Sequence, residues 1–166
     1  MKNLITKLSQ IHDRVFQLVS YLQSPFLLLV RLYWGIQLAQ SGWGKLHNLG
    51  QVTEFFTSLG LPMPAQTALA ISCLEFFGGI LFAAGLFSRM ISLVLTVNMF
   101  MAYITADKEA FFSFISNPDK FTGAAPWNFL VASLIVLILG PGKLCLDTLL
   151  RRVAHLPAPE SASKPT

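Results

Sequence analysis

Two charged side chains lie inside long apolar runs of this 166-residue chain, and they are the first candidates for chemistry. Arg31 is the one charge in residues 25–44, and Glu75 is the one charge in residues 65–87. At a helical rise of 1.5 Å per residue, Glu75 would lie about 15 Å deep and Arg31 about 9 Å deep. An extended arginine spans that difference, so an Arg31–Glu75 ion pair is geometrically allowed between neighbouring helices.

Ionisable residues buried in lipid are costly, and they usually mark functional sites. One interpretation is a polar pocket near the middle of the membrane that holds a lipid headgroup, a quinone carbonyl or a proton. The alternative is a structural ion pair that sets the register of two helices. Gln37 and Asn98 are uncharged polar candidates for the same site, although such residues more often hydrogen-bond between helices.

Small residues near these two charges predict close helix packing. Gly35 and Gly42 follow Arg31 along one stripe, and Gly78 and Gly79 lie within one turn of Glu75. Glycine allows two helix backbones to approach each other closely. The Gly78–Gly79 pair would also leave room for a ligand ring, but helix contact is its more common use.

The composition identifies the solvent in which these residues act. Hydrophobic residues make up 54% of the chain and charged residues 12%, about half the usual charged share of ~25%. A soluble domain of this size could not bury so much apolar surface. The composition therefore argues against a soluble enzyme, a disordered chain and a disulfide-rich module, and it favours a membrane protein.

Four apolar runs approach the ~20 residues needed to cross a bilayer, and we expect helices because a lone strand cannot satisfy its backbone in lipid. The predicted fold is an all-α membrane protein, a four-transmembrane-helix bundle with amphipathic N-terminal and outer-loop helices. Its domain, residues 25–142, has spans at about 25–44, 65–87, 90–106 and 123–140. Residues 1–24 are predicted as an amphipathic cytoplasmic or interfacial helix, 143–156 as an amphipathic juxtamembrane segment and 157–166 as a disordered tail.

The distribution of lysine and arginine predicts the orientation. Arg31 is left out of the count because it lies inside a span. Eight of the others lie at the termini and in the turn between the second and third predicted spans, and three lie on the opposite side. The positive-inside rule then places both termini in the cytoplasm, and we expect a multi-pass protein of the bacterial inner membrane.

The outer loops are not simple connectors. Residues 51–59 predict a one-sided apolar helix, and the phenylalanines of residues 107–122 either cap the bundle or, the interpretation we prefer, partition into the membrane interface.

Several kinds of chemistry find no support in the sequence. The formal net charge of +4 is spread between apolar runs, so we expect contacts with anionic lipids and no nucleic-acid partner. No Cys/His cluster has metal-ligand spacing, so no metal site is predicted. Cys73 lies inside the second predicted span, eight residues from its outer end, and Cys145 follows the fourth span on the cytoplasmic side. Their predicted separation exceeds the ~7 Å Cα limit of a disulfide. No motif of a self-contained hydrolase appears.

Residues 25–142 resemble the DoxX family, small bacterial membrane proteins with four predicted helices. The resemblance rests on the order and spacing of five segments: RLYWG at 31–35, GWGKL at 42–46, FFTSLGLP at 55–62, EFFGG at 75–79 and GLFSR at 85–89. The positions that match the family pattern are Arg31, Gly44, Lys45, Gly60, Pro62, Glu75, Gly79, Gly85 and Arg89. That pattern marks shared architecture and assigns no catalytic residue.

The family's name comes from a membrane subunit associated with thiosulfate:quinone oxidoreduction, and other members look like membrane partners of detoxifying or thiol-handling enzymes. The resemblance therefore implies a membrane subunit of a redox system, linked to a quinone or to thiols. Quinone is the cofactor this would involve, with membrane lipids, a soluble oxidoreductase and a second copy of the chain as partners. The alternatives are a small proton-coupled transporter or exporter that uses Glu75, and a purely structural membrane anchor or assembly factor.

Overall fold

The computed structural model describes the backbone of residues 2–153 and the side-chain surroundings of residues 21–150. Within this part of the chain every regular element is a helix. The helices are α1 (Lys2–His47), α2 (Leu49–Ser58), α3 (Pro64–Ala84), α4 (Ser88–Thr105), α5 (Lys108–Phe112), α6 (Pro118–Gly123), α7 (Ala125–Leu139) and α8 (Leu146–Val153).

The first helix is longer than the first predicted span. Helix α1 has 46 residues and passes Pro25 without a break, so the predicted N-terminal helix and the span at 25–44 form one continuous rod. It also continues past Gly44 to His47. The side chains of residues 1–20 lie outside the described part, so the amphipathic stripe predicted there stays a prediction, as does the tail at 157–166.

Two helices are long and apolar enough to cross a membrane, which is consistent with a helical membrane protein. They are α3, with 21 residues, and α4, with 18 residues. At 1.5 Å per residue they measure about 31 Å and 27 Å, close to the ~30 Å hydrocarbon thickness. Helix α7 is apolar but has 15 residues, about 22 Å.

Helices α1 and α3 form the most extensive contact in the structure, and α4 packs mainly on α7. Three of the four predicted packing glycines lie where α1 meets α3. A Cβ added to Gly79 would lie 2.6 Å from the backbone nitrogen of Ala39, and one on Gly42 would collide with the backbone of Phe76. The fourth, Gly78, faces Leu95 of α4 instead.

An aromatic cluster covers one end of the α4–α7 pair. The buried Tyr103 stacks on Phe121, contacts the ring of Phe111 edge-on and donates its hydroxyl to the carbonyl of Phe121. Phe112 and Phe114 are exposed. The segment 107–122 thus contributes two rings to the packed core and presents two others outward, while the partition of its phenylalanines into the membrane interface stays a prediction.

Candidate functional site

The carboxylate of Glu75 is paired with Lys45 in the interior of the structure. The ammonium Nζ of Lys45 lies 2.5 Å from Oε1 and 2.7 Å from Oε2, and the Ser41 hydroxyl donates to Oε2 at 3.2 Å. The Glu75 side chain is 5% exposed and that of Lys45 is 34% exposed. Glu75 on α3 therefore has a charged partner and a neutral donor, both supplied by α1.

The local sequence explains why both donors reach the carboxylate. Ser41 and Lys45 are four residues apart, so they lie on the same face of α1, one turn apart. Gly42 brings that part of α1 against the backbone of Glu75 and Phe76. The long apolar stem of Lys45 can then pack along the helix while its ammonium reaches the carboxylate.

The structure does not form the Arg31–Glu75 pair that the depth estimate allowed. In the antiparallel α1–α3 contact Gly42 lies opposite Phe76, and Arg31, eleven residues earlier, lies against Gly85. Eleven residues of helix are about 16 Å, well beyond the reach of an arginine side chain. Each depth is measured from the end of its own predicted span, and two separate span ends do not give the alignment of α1 against α3. The register of the two helices in the structure differs from the one that the two depths imply.

Arg31 is nevertheless completely buried, with 0% of its surface exposed. Its Nη2 donates to the carbonyl oxygen of Leu144, in the segment between α7 and α8. This arginine and Glu75 thus belong to two separate polar sites at different heights along α1.

The other two candidates do not join the Glu75 site. Gln37 is half-buried on α1, and Asn98 is half-buried on α4. The Nδ2 of Asn98 is buried and has no hydrogen-bond partner among the described residues. Neither residue lines the cavity beside Glu75.

A small cavity of about 100 Å³ lies beside the Lys45–Glu75 pair, between α1, α3, α4 and the start of α7. Since a water molecule occupies about 30 Å³, it would hold about three waters or the edge of a small ring. The polar groups stand on one side of it and the rest is apolar. Its lining consists of Leu38, Ser41, Lys45, Glu75, Met99, Ala102, Ala125, Pro126 and Phe129.

The chemistry of this cavity follows from its charged groups. The ammonium and the hydroxyl can donate hydrogen bonds to a carbonyl oxygen, and the carboxylate can accept a proton. In apolar surroundings such interactions are stronger than in water. The arrangement suits a small polar group that gains or loses protons.

Sequence reasoning missed two members of this site, Ser41 and Lys45. The first predicted span ends at Gly44, so the sequence places Lys45 just outside it, among the cations of the outer side. The signal that indicates both residues is their spacing: Ser41 and Lys45 are four residues apart and flank Gly42, so they lie on one face of α1. In the sequence, Lys45 is otherwise distinguished from the other cations of the outer side by its match to the DoxX family pattern.

A second, larger cavity of about 510 Å³ lies along the α1–α3 contact, on the face away from the Lys45–Glu75 cavity. Apolar side chains dominate its surface, and Trp43 stands at one end of it with its ring against Phe76. Its shape and polarity suit a hydrocarbon chain. The lining residues are Leu32, Gly35, Ile36, Ala39, Gln40, Trp43, Phe76, Ile80, Ala83 and Ala84.

Metal and disulfide chemistry have few candidates in the part of the chain that the structure describes. Within it, no three His, Cys, Asp or Glu residues come together as they would around a metal ion. Cys73 and Cys145 are both free thiols, each half-buried.

Comparison with known proteins identifies the family of this chain. A curated relative from Bacillus subtilis (strain 168), described as "Putative oxidoreductase CatD", is 29% identical over 122 residues, which cover 72% of this chain and 83% of the relative. No solved structure matches the chain significantly. The family model of DoxX matches residues 26–108, half of the chain, and this range includes Arg31, Lys45 and Glu75. The protein is therefore a membrane protein that belongs to the DoxX family.

Proposed function

We propose that this protein is a membrane subunit of a redox system and that it binds the polar head of a quinone at the Lys45–Glu75 cavity. The observation that carries the proposal is a buried carboxylate, 5% exposed, that faces a small cavity together with an ammonium and a hydroxyl. A structural ion pair alone would not require space beside it.

Quinone chemistry fits the groups around this cavity. A quinone carbonyl accepts hydrogen bonds, which Lys45 and Ser41 can donate, and a hydroquinone hydroxyl releases a proton, which the Glu75 carboxylate can accept. The apolar part of the cavity lining, which includes Leu38, Met99 and Phe129, would contact the quinone ring. The name of the Bacillus subtilis relative includes "oxidoreductase", which is in line with this role.

The proposal includes a particular placement in the membrane. Residues 25–47 of α1 and helix α7 would cross the bilayer beside α3 and α4, giving four spans in the bacterial inner membrane with both termini in the cytoplasm. A soluble oxidoreductase would dock on the protein and exchange electrons with the quinone, and two copies of the chain would form a dimer. The contacts of α1 with α3 and of α4 with α7 support the four-span arrangement.

The buried Glu75 also favours a second function, proton-coupled transport of a small substrate. Lys45 is partly exposed, so the pair has a route to solvent at one end. A carboxylate that exchanges its proton while its cation partner moves is a common element of membrane transporters. Such a protein would show substrate flux that depends on pH and is lost in Glu75→Gln.

Mass spectrometry of organic extracts tests the quinone proposal. The chain, Glu75→Gln and Lys45→Met would be purified in mild detergent from the same expression host and extracted. We expect a quinone at a fixed ratio in the unchanged protein and a loss of at least about fivefold in either variant. Glu54→Gln and Lys108→Met change exposed residues of the same types and should retain the quinone.

Equal quinone content in all five proteins would overturn the proposal, and so would extracts that hold bulk lipid alone. In that case, pH-dependent flux in vesicles that Glu75→Gln abolishes would support the transporter. If Glu75→Gln alters melting and leaves every activity unchanged, the pair is a structural element of a membrane anchor.

A further inference from the structure

The thiol of Cys145 lies in an unusual position just before helix α8. Its Sγ receives the backbone N–H of Thr148 at 3.4 Å, as the capping atom of this eight-residue helix, and lies 3.0 Å from the Thr148 hydroxyl. One acceptor for its own hydrogen is near, the carbonyl of Gly142 at 3.2 Å. The sulfur thus stands at the positive end of a helix, where it accepts the Thr148 N–H and lies within hydrogen-bond distance of the Thr148 hydroxyl.

The buried Arg31 guanidinium lies beside this thiol. Both groups pack on Gly85, whose missing side chain makes the space: a Cβ there would lie 2.7 Å from Cβ of Cys145 and would collide with Nη1 of Arg31. Among the residues that the structure describes, Nη2 of Arg31 donates to Leu144, while Nε and Nη1 have no partner there although the residue is 0% exposed. Two donors of a buried cation are therefore unused next to a sulfur atom.

Asp147, the nearest carboxylate in this cluster, has its hydrogen bonds committed elsewhere. Its two oxygens accept the backbone N–H groups of Phe87 and Ser88 at 2.8 and 2.9 Å and the Ser88 hydroxyl at 2.9 Å, at the start of α4. Its own N–H donates to the carbonyl of Gly85 at 3.1 Å. These bonds anchor the Cys145 segment to the α3–α4 turn and leave the Arg31 donors unclaimed.

We propose that Cys145 is a reactive thiol, activated by Arg31, that exchanges with small soluble disulfides. A neighbouring arginine and a helix N-terminus are the features that make a cysteine nucleophilic. Arg31 lies fourteen residues before Lys45, about 21 Å away along α1, so the proposal goes beyond the quinone site and does not depend on it.

The reaction is a thiol–disulfide exchange. Cys145 loses its proton to solvent, and its sulfur forms a bond to one sulfur of the small disulfide as the old S–S bond breaks. The other half leaves as a thiolate. Cys145 is oxidised to a mixed disulfide, and the departing sulfur is reduced, so no further oxidant is needed.

The test measures the rate at which Cys145 reacts with 5,5′-dithiobis(2-nitrobenzoate), followed by the absorbance of the released thiolate. A Cys73→Ala background leaves Cys145 as the one thiol of the chain. We expect Arg31→Met to slow the reaction about tenfold, since it removes the cation next to the sulfur. Arg31→Lys should recover most of the rate. Arg89→Met removes an exposed cation from the same end of the protein and should change the rate less than about twofold.

Three outcomes would overturn the proposal: an unreactive Cys145, a rate unchanged in Arg31→Met, and a rate increased in that variant. If Arg31→Met does not fold, Thr148→Val gives an independent test, because it removes the hydroxyl next to the sulfur and keeps the backbone N–H. We expect this variant to react two- to threefold more slowly, and an unchanged rate there would also reject the assignment.

Discussion

Replacing Lys45 by methionine should destabilise the protein more than any other single change at the Lys45–Glu75 site. Methionine fills the space of the lysine stem but leaves the carboxylate of Glu75, 5% exposed, without its cation. Breaking a fully buried ion pair from one side costs about 3–5 kcal/mol. Lys45 is 34% exposed, so solvent screens part of the interaction, and we expect about 2.5 kcal/mol.

The double variant separates the ion pair from the packing of the two side chains. Glu75→Gln alone should cost about 1 kcal/mol, because the amide still accepts from Ser41 and the partly exposed ammonium can turn to water. Lys45→Met with Glu75→Gln should cost about 1.5 kcal/mol, since no charge remains buried. The coupling free energy between the two positions is then about 2 kcal/mol in size.

Apparent melting temperatures in a mild detergent, followed by intrinsic fluorescence, would measure these differences. For a chain of this length 1 kcal/mol corresponds to roughly 2–4 °C, so Lys45→Met should melt about 5–10 °C lower and the double variant about 3–6 °C lower. Lys108→Met, at an exposed lysine, should melt within about 1 °C of the unchanged protein.

Additive shifts for Lys45→Met and Glu75→Gln would refute the argument, because they would mean that the two groups do not interact.

A further comparison checks the register of α1 on α3. Arg31→Met and Glu75→Gln belong to separate sites, so their shifts should add to within about 0.5 kcal/mol. A double variant more stable than Arg31→Met would contradict that register.

Three further tests, the first with a matched control, concern other contacts. Gly42→Ala should lower the melting temperature by about 5 °C or more, because its Cβ would collide with α3, whereas Gly44→Ala meets nothing within 4 Å and should be neutral or stabilising. Asp147→Ala removes three hydrogen bonds at the start of α4 and should cost about 1–2 kcal/mol, measured by the same melting assay. The hydrogen bond and charge of Lys120 lower the pKa of the fully exposed Glu109 carboxyl, so an NMR titration should show that pKa rise towards its ordinary value in Lys120→Gln. This pair stabilises the fold above the unfolded carboxyl pKa and loses that effect as the pH falls through the folded pKa, but at so exposed a position the melting temperature should hardly change.

Much of the helical architecture could be predicted from composition and pattern. The runs at 65–87 and 90–106 appear as α3 and α4 with ends shifted by one to three residues, and the one-sided stretch at 51–59 appears as α2. Long apolar runs give strong signals because lipid leaves the backbone no alternative to a helix. Helix α1 was harder to delimit, since Pro25 looks like a boundary and yet lies inside the helix.

The partners of the buried charges could not be predicted in the same way. Pairing Arg31 with Glu75 used two depths measured from separate span ends, and an error of two turns in the relative position of two helices changes every cross-helix neighbour. Lys45 has the opposite problem. A lysine just past an apolar run usually anchors at the membrane interface, and nothing in its own residue type indicates that it turns inward.

The glycines of α1 and α3 determine the register of the two helices, which the charged residues alone do not predict. Gly42 against Phe76 and Gly79 against Ala39 are contacts that no larger residue would allow, so they hold the two helices in one register. In that register Lys45 contacts the carboxylate of Glu75. Farther along the same helix contact, Arg31 packs against Gly85 next to Cys145. The two polar sites are therefore linked through a single helix contact: a shift of one turn, about 5.4 Å, would separate Lys45 from its carboxylate and Arg31 from the thiol at the same time. A variant that disturbs Gly42 should for this reason affect both quinone retention and the reactivity of Cys145, whereas Lys45→Met should affect the first and leave the second unchanged.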